Sequence, residues 1–398
     1  MLLENNPYPQ DVRVRQEARV LAEAGYCVSV ICPKRPGQPW RETIEGVRVY
    51  RYPAARAPNS RLGYLWEYAY AVAATFVLSL LVFLRDGFDV IHAHNPPDAF
   101  VIVAAFYKLM GRRFVFDHHD LAPELYRARF GGDGRDLVYR ALVWLEKLSC
   151  RFADRVVATN ESYSAVEVQR GGVPESRITI VRNGPDLNHL RQAAPDAHLR
   201  RKGKTIIGYV GVMGFQDGVD YLLRALRHLV HDLDRTDFYC VIIGVGDAWP
   251  SLKSLASQLG LDAYVWFTGR VSDADLVRYL SSADICVDPD PSNEFNDRCT
   301  MIKMMEYMAL GKPIVAFDLP EHRFTAQSAA LYVPPNDELE FAQVLAELMD
   351  DPARRQEMGA LGRRRVESEL AWHYSAQNLL AVYRSLLPNS PSERLPDP

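Results

Sequence analysis

The feature that most constrains this chain is a regular alternation of short apolar runs with longer segments of helical period. In the first half, the runs 28–32, 89–93 and 113–117 are separated by such segments, and the alternation begins again at Thr205. Strands that alternate with helices are typical of parallel sheets covered by helices on both faces. The sequence therefore predicts an α/β fold made of two doubly wound parallel-sheet domains.

The boundary between the two patterns is predicted at residues 192–204, a polar stretch without apolar periodicity that we interpret as a linker. The first domain then covers 1–191 and the second 205–372. Helical patterns continue to about Leu386, and the polar residues 389–398 are typical of a disordered tail. Ligands bind at the carboxyl ends of strands in open parallel sheets, so we expect an active site in a cleft between the domains.

Composition argues against two classes of protein. The 398 residues are 48% hydrophobic and carry a formal net charge of −4, whereas chains that bind the nucleic-acid backbone are usually basic. The six cysteines include no CxxC pair, which argues against a disulfide scaffold and a zinc site. The N-terminus lacks the basic and apolar regions of a signal peptide, so a cytoplasmic location is expected.

One apolar segment raises the question of a membrane. No charged residue occurs from Tyr68 to Leu84, and Glu67 and Arg85 bracket the segment closely. A spanning helix needs about 20 apolar residues. We therefore expect a buried or surface-docked helix, for which a bilayer is a reasonable cover on part of its surface.

Histidines follow two apolar runs of the first half: His92 and His94 end one run, and His118 and His119 end the next. Imidazole and the carboxylate of Asp117 are legitimate metal ligands. Consecutive residues on an extended chain point in opposite directions, so His118 and His119 would not readily share an ion. No metal site is predicted, and structural hydrogen bonding is a plausible role for His92 and His118.

Glycine-rich turns mark the second half. Gly211, Gly214 and Gly218 lie between a strand and a helix. Glycine permits a tight turn and lets a phosphate approach amide groups at a helix N-terminus. Such a turn is as often purely structural, and the turns at 244–247 and 269–271 are weaker signals.

The segment from Asn296 to Pro313 is the most informative. A polar loop meets a helix near Thr300, and Lys303 and Glu306 share one face of that helix. A charged pair among apolar neighbours is costly to bury unless it has a partner or a ligand. An exposed ion pair of little energetic value is the alternative, but the surrounding methionines favour a ligand-binding role.

Taken together, these motifs resemble the retaining glycosyltransferases of family 4 (glycosyl transferases group 1). The block MEYMALGKPIV, from Met305 to Val315, is specific, whereas the glycine turns are not. The resemblance covers nearly the whole chain to about Leu386 and implies a GT-B fold, with two Rossmann-like domains facing an interdomain cleft. The other matching positions are 208–223, 242–247, 267–271 and 283–287, and in the first half Asp11-Val12-Arg13, Glu17, 89–94, His119-Asp120 and Asn183-Gly184.

The resemblance implies transfer of a sugar from a UDP- or GDP-linked sugar, with retention at the anomeric carbon and without an obligatory metal or cofactor. Domain 1–191 would bind the acceptor and domain 205–372 the donor. A C-terminal helix near 373–388 would cross back to the first domain.

The resemblance also implies roles for single residues. Glu306 would hold the ribose hydroxyls, the glycine loop would lie under the diphosphate, and His119 would lie near the reacting sugar. The backbone of Arg270 and Val271 would hold the base. The implied donor-binding set is Gly211, Met213, Gly214, Arg270, Val271 and Glu306.

Two departures from the family pattern matter. A second glutamate is usual where this chain has Arg298, beside Asp297. Basic residues are usual where it has Val212 and Asp217. Fixed cations near a leaving diphosphate are a main source of rate, so we expect Arg298 and Lys303 to supply that charge and Asp297 to replace the glutamate. The predicted catalytic set is His119, Asp297, Arg298 and Lys303.

Three functions stay open at this point. The first is a transferase in polysaccharide or related glycan biosynthesis, with a lipid-linked or glycan acceptor and peripheral contact with the inner membrane face. The second is a non-catalytic protein that binds a nucleotide sugar, and the third is a nucleotide-sugar epimerase of the same fold. The sugar, the nucleotide, the acceptor and the oligomeric state are not specified by the residues.

Overall fold

The computed structural model describes residues 1–55, 61–131, 136–202 and 204–387. The described residues form two compact units. The first runs from Met1 to Asn183 and resumes at Ser375, and the second runs from Gly184 to Tyr374. The predicted tail 389–398 lies outside the described residues.

The first unit contains a mainly parallel sheet with helices. Its helices are α1 (Val12–Glu23), α2 (Arg61–Arg85), α3 (Val101–Lys108), α4 (Ala122–Phe130), α5 (Leu137–Phe152) and α6 (Glu161–Val166). Its strands are β1 (Ser29–Lys34), β2 (Arg41–Ile44), β3 (Val47–Pro53), β4 (Val90–His94), β5 (Arg113–His118), β6 (Arg155–Ala158) and β7 (Ile178–Ile180).

Two strand groups, β2-β3-β1 and β4-β5-β6-β7, make up this sheet. Leu2 joins them, because it forms parallel bridges with Ile31 of β1 and Ala93 of β4. Only the pairing of β2 with β3 is antiparallel among these strands. The residues that follow β4 and β5 therefore emerge on neighbouring strands at one edge of the sheet.

The second unit contains a six-stranded parallel sheet. Its strands are β8 (Thr205–Val210), β9 (Phe238–Ile243), β10 (Val265–Gly269), β11 (Ile285–Asp288), β12 (Ile314–Phe317) and β13 (Ala330–Val333). Its helices are α7 (Ala197–Arg200), α8 (Val219–His231), α9 (Trp249–Gln258), α10 (Asp273–Ser282), α11 (Ile302–Ala309), α12 (Pro320–Ala326), α13 (Glu338–Asp350) and α14 (Pro352–Arg365). The last helix, α15 (Trp372–Leu386), begins in this unit and belongs to the first unit from Ser375 on.

The strand order β10-β9-β8-β11-β12-β13 is that of the Rossmann fold, counted from β8 as strand one. The order reverses between β8 and β11, and a crevice for ligands forms at the carboxyl ends of the strands at this point. Gly211 follows β8 and Asp288 ends β11. The predicted α/β class and the two Rossmann-like domains are confirmed.

The structure differs from the predicted linker 192–204. The change of unit falls at Gly184, so these residues belong to the second unit. Leu199 of α7 is fully buried in its core, and the Asp196 amide donates a hydrogen bond to the Ser282 hydroxyl (2.7 Å). The polar composition wrongly indicated a linker, because one buried apolar side chain and local hydrogen bonds are enough to hold so short a segment against the second unit.

Candidate functional site

A glycine-rich loop follows β8 and packs against the turn that follows β9. The Gly211 amide donates to the Ile243 carbonyl (3.1 Å), and the Met213 amide donates to the Val245 carbonyl (3.2 Å). A Cβ on Gly246 would lie 2.4 Å from the Met213 carbonyl oxygen, which is closer than real side chains come. Glycine at 246 therefore allows the two turns to meet.

The amides predicted to lie under a diphosphate already have partners. Besides the bonds of Gly211 and Met213, the Gly214 amide donates to Asp217 Oδ2 (2.7 Å). Met213 is fully buried, so its side chain belongs to the core. A phosphate that accepted a hydrogen bond from Gly214 would have to displace the Asp217 carboxylate.

The loop between β11 and α11 contacts this glycine-rich loop. Asn296 is buried, and its Nδ2 donates to the Gln216 carbonyl (2.9 Å). A Cβ on Gly218 would lie 2.0 Å from the Pro289 carbonyl oxygen, so only glycine permits this approach. These contacts place the 3-10 turn Asn296–Arg298 beside the start of α8.

Asp297 and Arg298 lie in this turn and are both partly buried. The Ser292 hydroxyl donates to Asp297 Oδ2 (3.2 Å), whereas Asp297 Oδ1 is buried without a hydrogen-bond partner among the described residues. The Arg298 guanidinium donates to the Glu294 carbonyl (3.1 Å). The structure thus brings these two predicted residues together with the glycine-rich loop.

Lys303, in the first turn of α11, reaches the end of β11. Its Nζ lies 2.7 Å from Asp290 Oδ1 and 3.1 Å from Asp288 Oδ1, and both carboxylates are fully buried. Burial by itself lowers the pKa of a lysine, but these carboxylates outweigh it and hold the pKa of Lys303 well above its ordinary value. The charge predicted to meet a diphosphate is therefore already paired.

We call Asp288, Asp290, His322 and Lys303 the lysine-paired cluster. His322 Nε2 lies 3.6 Å from Asp288 Oδ2, and its Nδ1 donates to the Phe317 carbonyl (2.9 Å). Sequence reasoning did not single out the two aspartates or the histidine. The available signal was the DPD sequence directly after the apolar run 285–287.

Glu306 follows Lys303 on α11 and is partly buried. Burial, with a smaller contribution from Asp273 at the start of α10, raises the pKa of Glu306 to about 7. Among the described residues, no hydrogen bond or ion pair satisfies its carboxyl group. Buried polar groups normally have a partner, and a carboxylate can accept two hydrogen bonds from one diol.

Arg270 and Val271 lie between the end of β10 and the Ser272 cap of α10. Arg270 is exposed, and Val271 packs against the core of the unit. The charge of Asp273, two residues further on, acts on Glu306, so this turn and Glu306 are close enough to interact. The structure therefore places the predicted base-binding turn near the predicted ribose ligand.

His119 lies in a buried polar cluster of the first unit, which we call the histidine–carboxylate cluster. Its members are Glu17, His92, His94, Asp117 and His119. His119 Nε2 lies 3.1 Å from both Asp117 Oδ2 and His94 Nδ1. His92 Nε2 and His94 Nδ1 lie 3.2 Å and 2.9 Å from the same Asp117 oxygen. Three imidazole nitrogens thus converge on one carboxylate oxygen.

Glu17 of α1 completes this cluster. Its Oε2 lies 3.9 Å from His94 Nδ1, and its Oε1 lies 4.0 Å from His119 Nε2. Burial and the neighbouring Asp117 raise the pKa of Glu17 well above its ordinary value. The apolar period of α1 did not predict that Glu17 is buried, although it lies on the same helix as the buried Val14.

His118 is separate from the cluster. Its Nδ1 lies 3.2 Å from Glu167 Oε1, and its Nε2 lies 3.7 Å from Glu146 Oε2. The expectation that His118 and His119 do not share a site agrees with this geometry. That expectation overlooked His94, which lies on the neighbouring strand and faces His119.

An exposed apolar surface lies on α2 and α3. Within the described part of the chain, Trp66–Arg85 is long and apolar enough to cross a membrane, and 22% of an apolar 18-residue window in it is buried. The exposed face is apolar, and the buried face combines apolar Ala71 and Val82 with polar Thr75 and Ser79. We call the exposed stripe on the two helices the apolar surface. It consists of Trp66, Val77, Leu81, Leu84, Ile102, Phe106 and Leu109.

Two family models match the chain, one in each unit. The "Glycosyl transferase 4-like domain" matches residues 10–184, and "Glycosyl transferases group 1" matches residues 204–351. The D-inositol 3-phosphate glycosyltransferase of Kineococcus radiotolerans is 25% identical over 98% of this chain and 93% of its own length. The phosphatidyl-myo-inositol mannosyltransferase of Mycobacterium leprae is 27% identical over 76% of this chain and 75% of its own.

Solved structures share the fold. Sucrose-phosphate synthase from Thermosynechococcus elongatus superimposes with a TM-score of 0.78 at 22% identity, over 96% of this chain and 94% of that one. HepE of Anabaena, solved in complex with UDP-glucose, gives a TM-score of 0.71 at 17% identity, over 96% and 99% of the two chains. At these identities the likeness shows the fold alone.

Proposed function

We propose that the chain moves a sugar from a UDP- or GDP-linked sugar to an acceptor with retention of anomeric configuration. The chain belongs to the group 1 glycosyltransferases and has the GT-B fold. The observation that carries this proposal is that the two family matches together cover most of both units. HepE, a structural neighbour, was solved with UDP-glucose, which supports a nucleotide-sugar donor.

The donor would bind at the carboxyl edge of the sheet in the second unit. Glu306 supports this because its partly buried carboxyl has no partner among the described residues and is suited to the two hydroxyls of a ribose. The turn with Arg270 and Val271 is close enough to meet the attached base. The loop of Gly211, Met213 and Gly214 would lie under the diphosphate once Asp217 releases the Gly214 amide.

The charge on the leaving diphosphate would be met mainly by Arg298. Lys303 is less suited than the sequence suggested, since Asp288 and Asp290 already pair with it. Asp297 Oδ1, buried without a hydrogen-bond partner among the described residues, would accept a sugar hydroxyl. His119 would act near the reacting sugar, and no metal or cofactor is assigned to the diphosphate.

Two variants test these roles. Arg298→Ala should lower kcat at least about 100-fold, because fixed charge near a developing anion contributes that much. Adding Lys303→Ala should lower stability rather than kcat further, since Lys303 is paired with Asp288 and Asp290. Asp297→Ala should also lower turnover. Arg354→Ala, which removes an exposed arginine on α14, is the matched control. Unchanged turnover in Arg298→Ala would exclude this charge assignment.

The donor nucleotide can be identified by thermal shift with UDP, GDP and their sugars. A ligand at 100 times its Kd stabilises a protein by about 2.7 kcal/mol, enough to rank the two nucleotides. The anomeric configuration of the product, read by NMR, tests retention. No shift with either nucleotide would argue against a donor site.

A lipid-linked or glycan acceptor and contact with the inner membrane face are supported by the apolar surface. Leu84 is 82% exposed and Leu109 89% exposed, and Arg85 and Arg113 lie near them in the chain. Anionic lipid attracts such basic residues. The similarity to the phosphatidyl-myo-inositol mannosyltransferase of Mycobacterium leprae is consistent with this acceptor class.

Membrane contact predicts binding to anionic phosphatidylglycerol vesicles at low salt. Leu84→Ser with Leu109→Ser should weaken that binding, whereas Leu339→Ser, on α13 of the second unit, should not. Absence of binding by the wild-type chain at low salt would contradict membrane contact but leave soluble glycan acceptors in place.

A non-catalytic role in binding nucleotide sugars is the second candidate. The Asp217 carboxylate on the Gly214 amide and the paired charge of Lys303 favour it. It predicts donor binding without transfer or hydrolysis in the purified protein. The third, an epimerase, predicts product from the donor alone without an acceptor.

A further inference from the structure

We propose that the histidine–carboxylate cluster of the first unit binds one divalent transition-metal ion, for which Zn²⁺ fits best. The ligands would be His94 Nδ1, His119 Nε2 and one carboxylate oxygen each from Asp117 and Glu17. All four residues are buried, and these atoms lie within 4.8 Å of one another. All four ligands belong to the first unit, whereas the residues proposed to contact the diphosphate belong to the second.

The spacing of the four ligand atoms fits a tetrahedral ion. Ligands at about 2.0–2.2 Å from a tetrahedral Zn²⁺ are about 3.3–3.6 Å from one another. The nitrogens of His94 and His119 are 3.1 Å apart, and they lie 2.9 Å and 3.1 Å from Asp117 Oδ2. The Glu17 oxygens lie 3.9 Å and 4.0 Å from the same nitrogens. The observed distances therefore bracket the expected ones.

The two buried acids of the cluster could also be satisfied by a cation. The Glu17 side chain is 1% exposed, and its Oε2 has no hydrogen-bond partner among the described residues. In the described part of the chain, no lysine or arginine lies within ion-pairing distance of Glu17 or Asp117. The nearby Arg13 pairs with Asp11 instead, at 3.3 Å. A divalent ion held by two neutral imidazoles would balance both carboxylates.

A second layer of contacts would orient the ligands. His92 Nε2 lies 3.2 Å from Asp117 Oδ2, and His92 Nδ1 lies 2.9 Å from the Tyr383 hydroxyl of α15. Such outer contacts fix the orientation of ligating groups. Coordination through Nε2 of His119 leaves its Nδ1, which has no partner among the described residues, available to a substrate.

The ligand set discriminates among metals. Two imidazoles with two carboxylates suit Zn²⁺ and related transition ions. Mg²⁺ prefers an octahedron of oxygen atoms and keeps several waters, which a dry site with two nitrogens does not provide. The cysteines are not involved, so the site does not depend on the CxxC pattern that the sequence lacks.

The test uses the full chain without an affinity tag, treated with a chelator and then given Zn²⁺, Co²⁺ or Mg²⁺ alone. We expect one Zn²⁺ per chain after desalting, a rise of several degrees in Tm with Zn²⁺, and no rise with Mg²⁺. With Co²⁺, we expect the visible absorption of a tetrahedral ion without the near-ultraviolet band of a thiolate ligand.

Two variants locate the ion. His94→Gln and Glu17→Gln should each weaken Zn²⁺ binding at least about tenfold, since even outer-layer changes cost 10–100-fold. His322→Gln, in the lysine-paired cluster, should bind Zn²⁺ as the wild type does. Wild-type protein that retains no Zn²⁺ and gives no Co²⁺ absorption would overturn the proposal, whether or not the variants fold. So would binding that His322→Gln abolishes and His94→Gln preserves.

Discussion

Each of the two clusters contains two buried carboxylates and at least one histidine, but among the described residues only the lysine-paired cluster includes a cationic side chain. In the lysine-paired cluster, Lys303 lies 2.7 Å from Asp290 and 3.1 Å from Asp288. In the histidine–carboxylate cluster, only imidazoles approach the two acids. The acids of the two clusters therefore differ in their counter-charge. Helix α11 contributes Lys303 to the lysine-paired cluster, whereas α1 contributes the second acid, Glu17, to the histidine–carboxylate cluster.

The presence of a lysine makes the lysine-paired cluster a structural one, whereas the histidine–carboxylate cluster needs a proton or a ligand. A buried ion pair with its cation in place is self-sufficient, and its loss leaves an uncompensated charge. Acids without a fixed cation must hold protons or bind an ion. Glu306 is a third case, since it lies on α11 near Lys303 and yet has no partner in the described part of the chain.

The largest expected effect comes from removing the cation of the lysine-paired cluster. Lys303→Met should lower the free energy of unfolding by about 3–5 kcal/mol, because Asp288 and Asp290 would stay buried without a counter-charge. Urea unfolding measures this, with Lys253→Met as the matched control at an exposed position on α9. Equal stability of the two variants would mean that the cluster does not depend on its lysine.

The pH dependence of donor binding tests whether the Glu306 carboxylate contacts the donor. The ionised Glu306 carboxylate accepts hydrogen bonds from two hydroxyls more strongly than the neutral acid does. The pKa of Glu306 is about 7, so donor affinity should fall as the pH is lowered from 8 to 6. Each unit below the pKa should weaken this contribution by up to about tenfold. Calorimetric titration of the donor nucleotide at several pH values measures the profile.

The control for this profile is Glu306→Gln, which should remove the step and leave only the titration of the nucleotide itself. Asp273→Asn should move the midpoint to lower pH, since Asp273 contributes to the raised pKa of Glu306. If the pH-dependent step in donor affinity persisted in Glu306→Gln, a group other than Glu306 would be responsible for it.

The smallest expected effect is on the free energy of unfolding when Glu17 of the histidine–carboxylate cluster is replaced in protein from which a chelator has removed metal ions. Burial and Asp117 raise the pKa of Glu17 well above its ordinary value, which favours the neutral acid over the carboxylate when no cation is bound. Glu17→Gln should then change the free energy of unfolding by less than about 1 kcal/mol. A loss as large as that of Lys303→Met would erase the distinction between the two clusters.

Much of the fold could be predicted from the sequence because core strands are short apolar runs. The apolar runs 205–210 and 238–243 coincide with strands β8 and β9, and the helical period over residues 13–24 agrees with α1 to within one residue at each end. The elements that were missed have weak patterns. Strand β2 is polar and pairs only at the edge of the sheet, and α4 and α12 are short helices that begin beside proline.

The candidate site was predictable only where residues are close in sequence. Lys303 and Glu306 were found because helical spacing puts them on one face of α11. The partners of Lys303 and the approach of Glu17 to His94 depend on which strands and helices become neighbours. Sequence spacing contains no such information, so the roles of Asp288 and Asp290 emerged only from the fold. Glu17 matched the family pattern, but only the fold shows that it lies beside His94.

The central claim is that a nucleotide diphosphate binds the second unit through the Glu306 carboxylate. The most direct test is the Kd of UDP and of GDP, measured by calorimetry at pH 8 for the wild type and Glu306→Gln. Hydrogen bonds to a charged group contribute about 1.5–3 kcal/mol, so we expect the preferred nucleotide to bind about 10–150-fold more weakly to the variant. Equal affinity in the two proteins would contradict the claim.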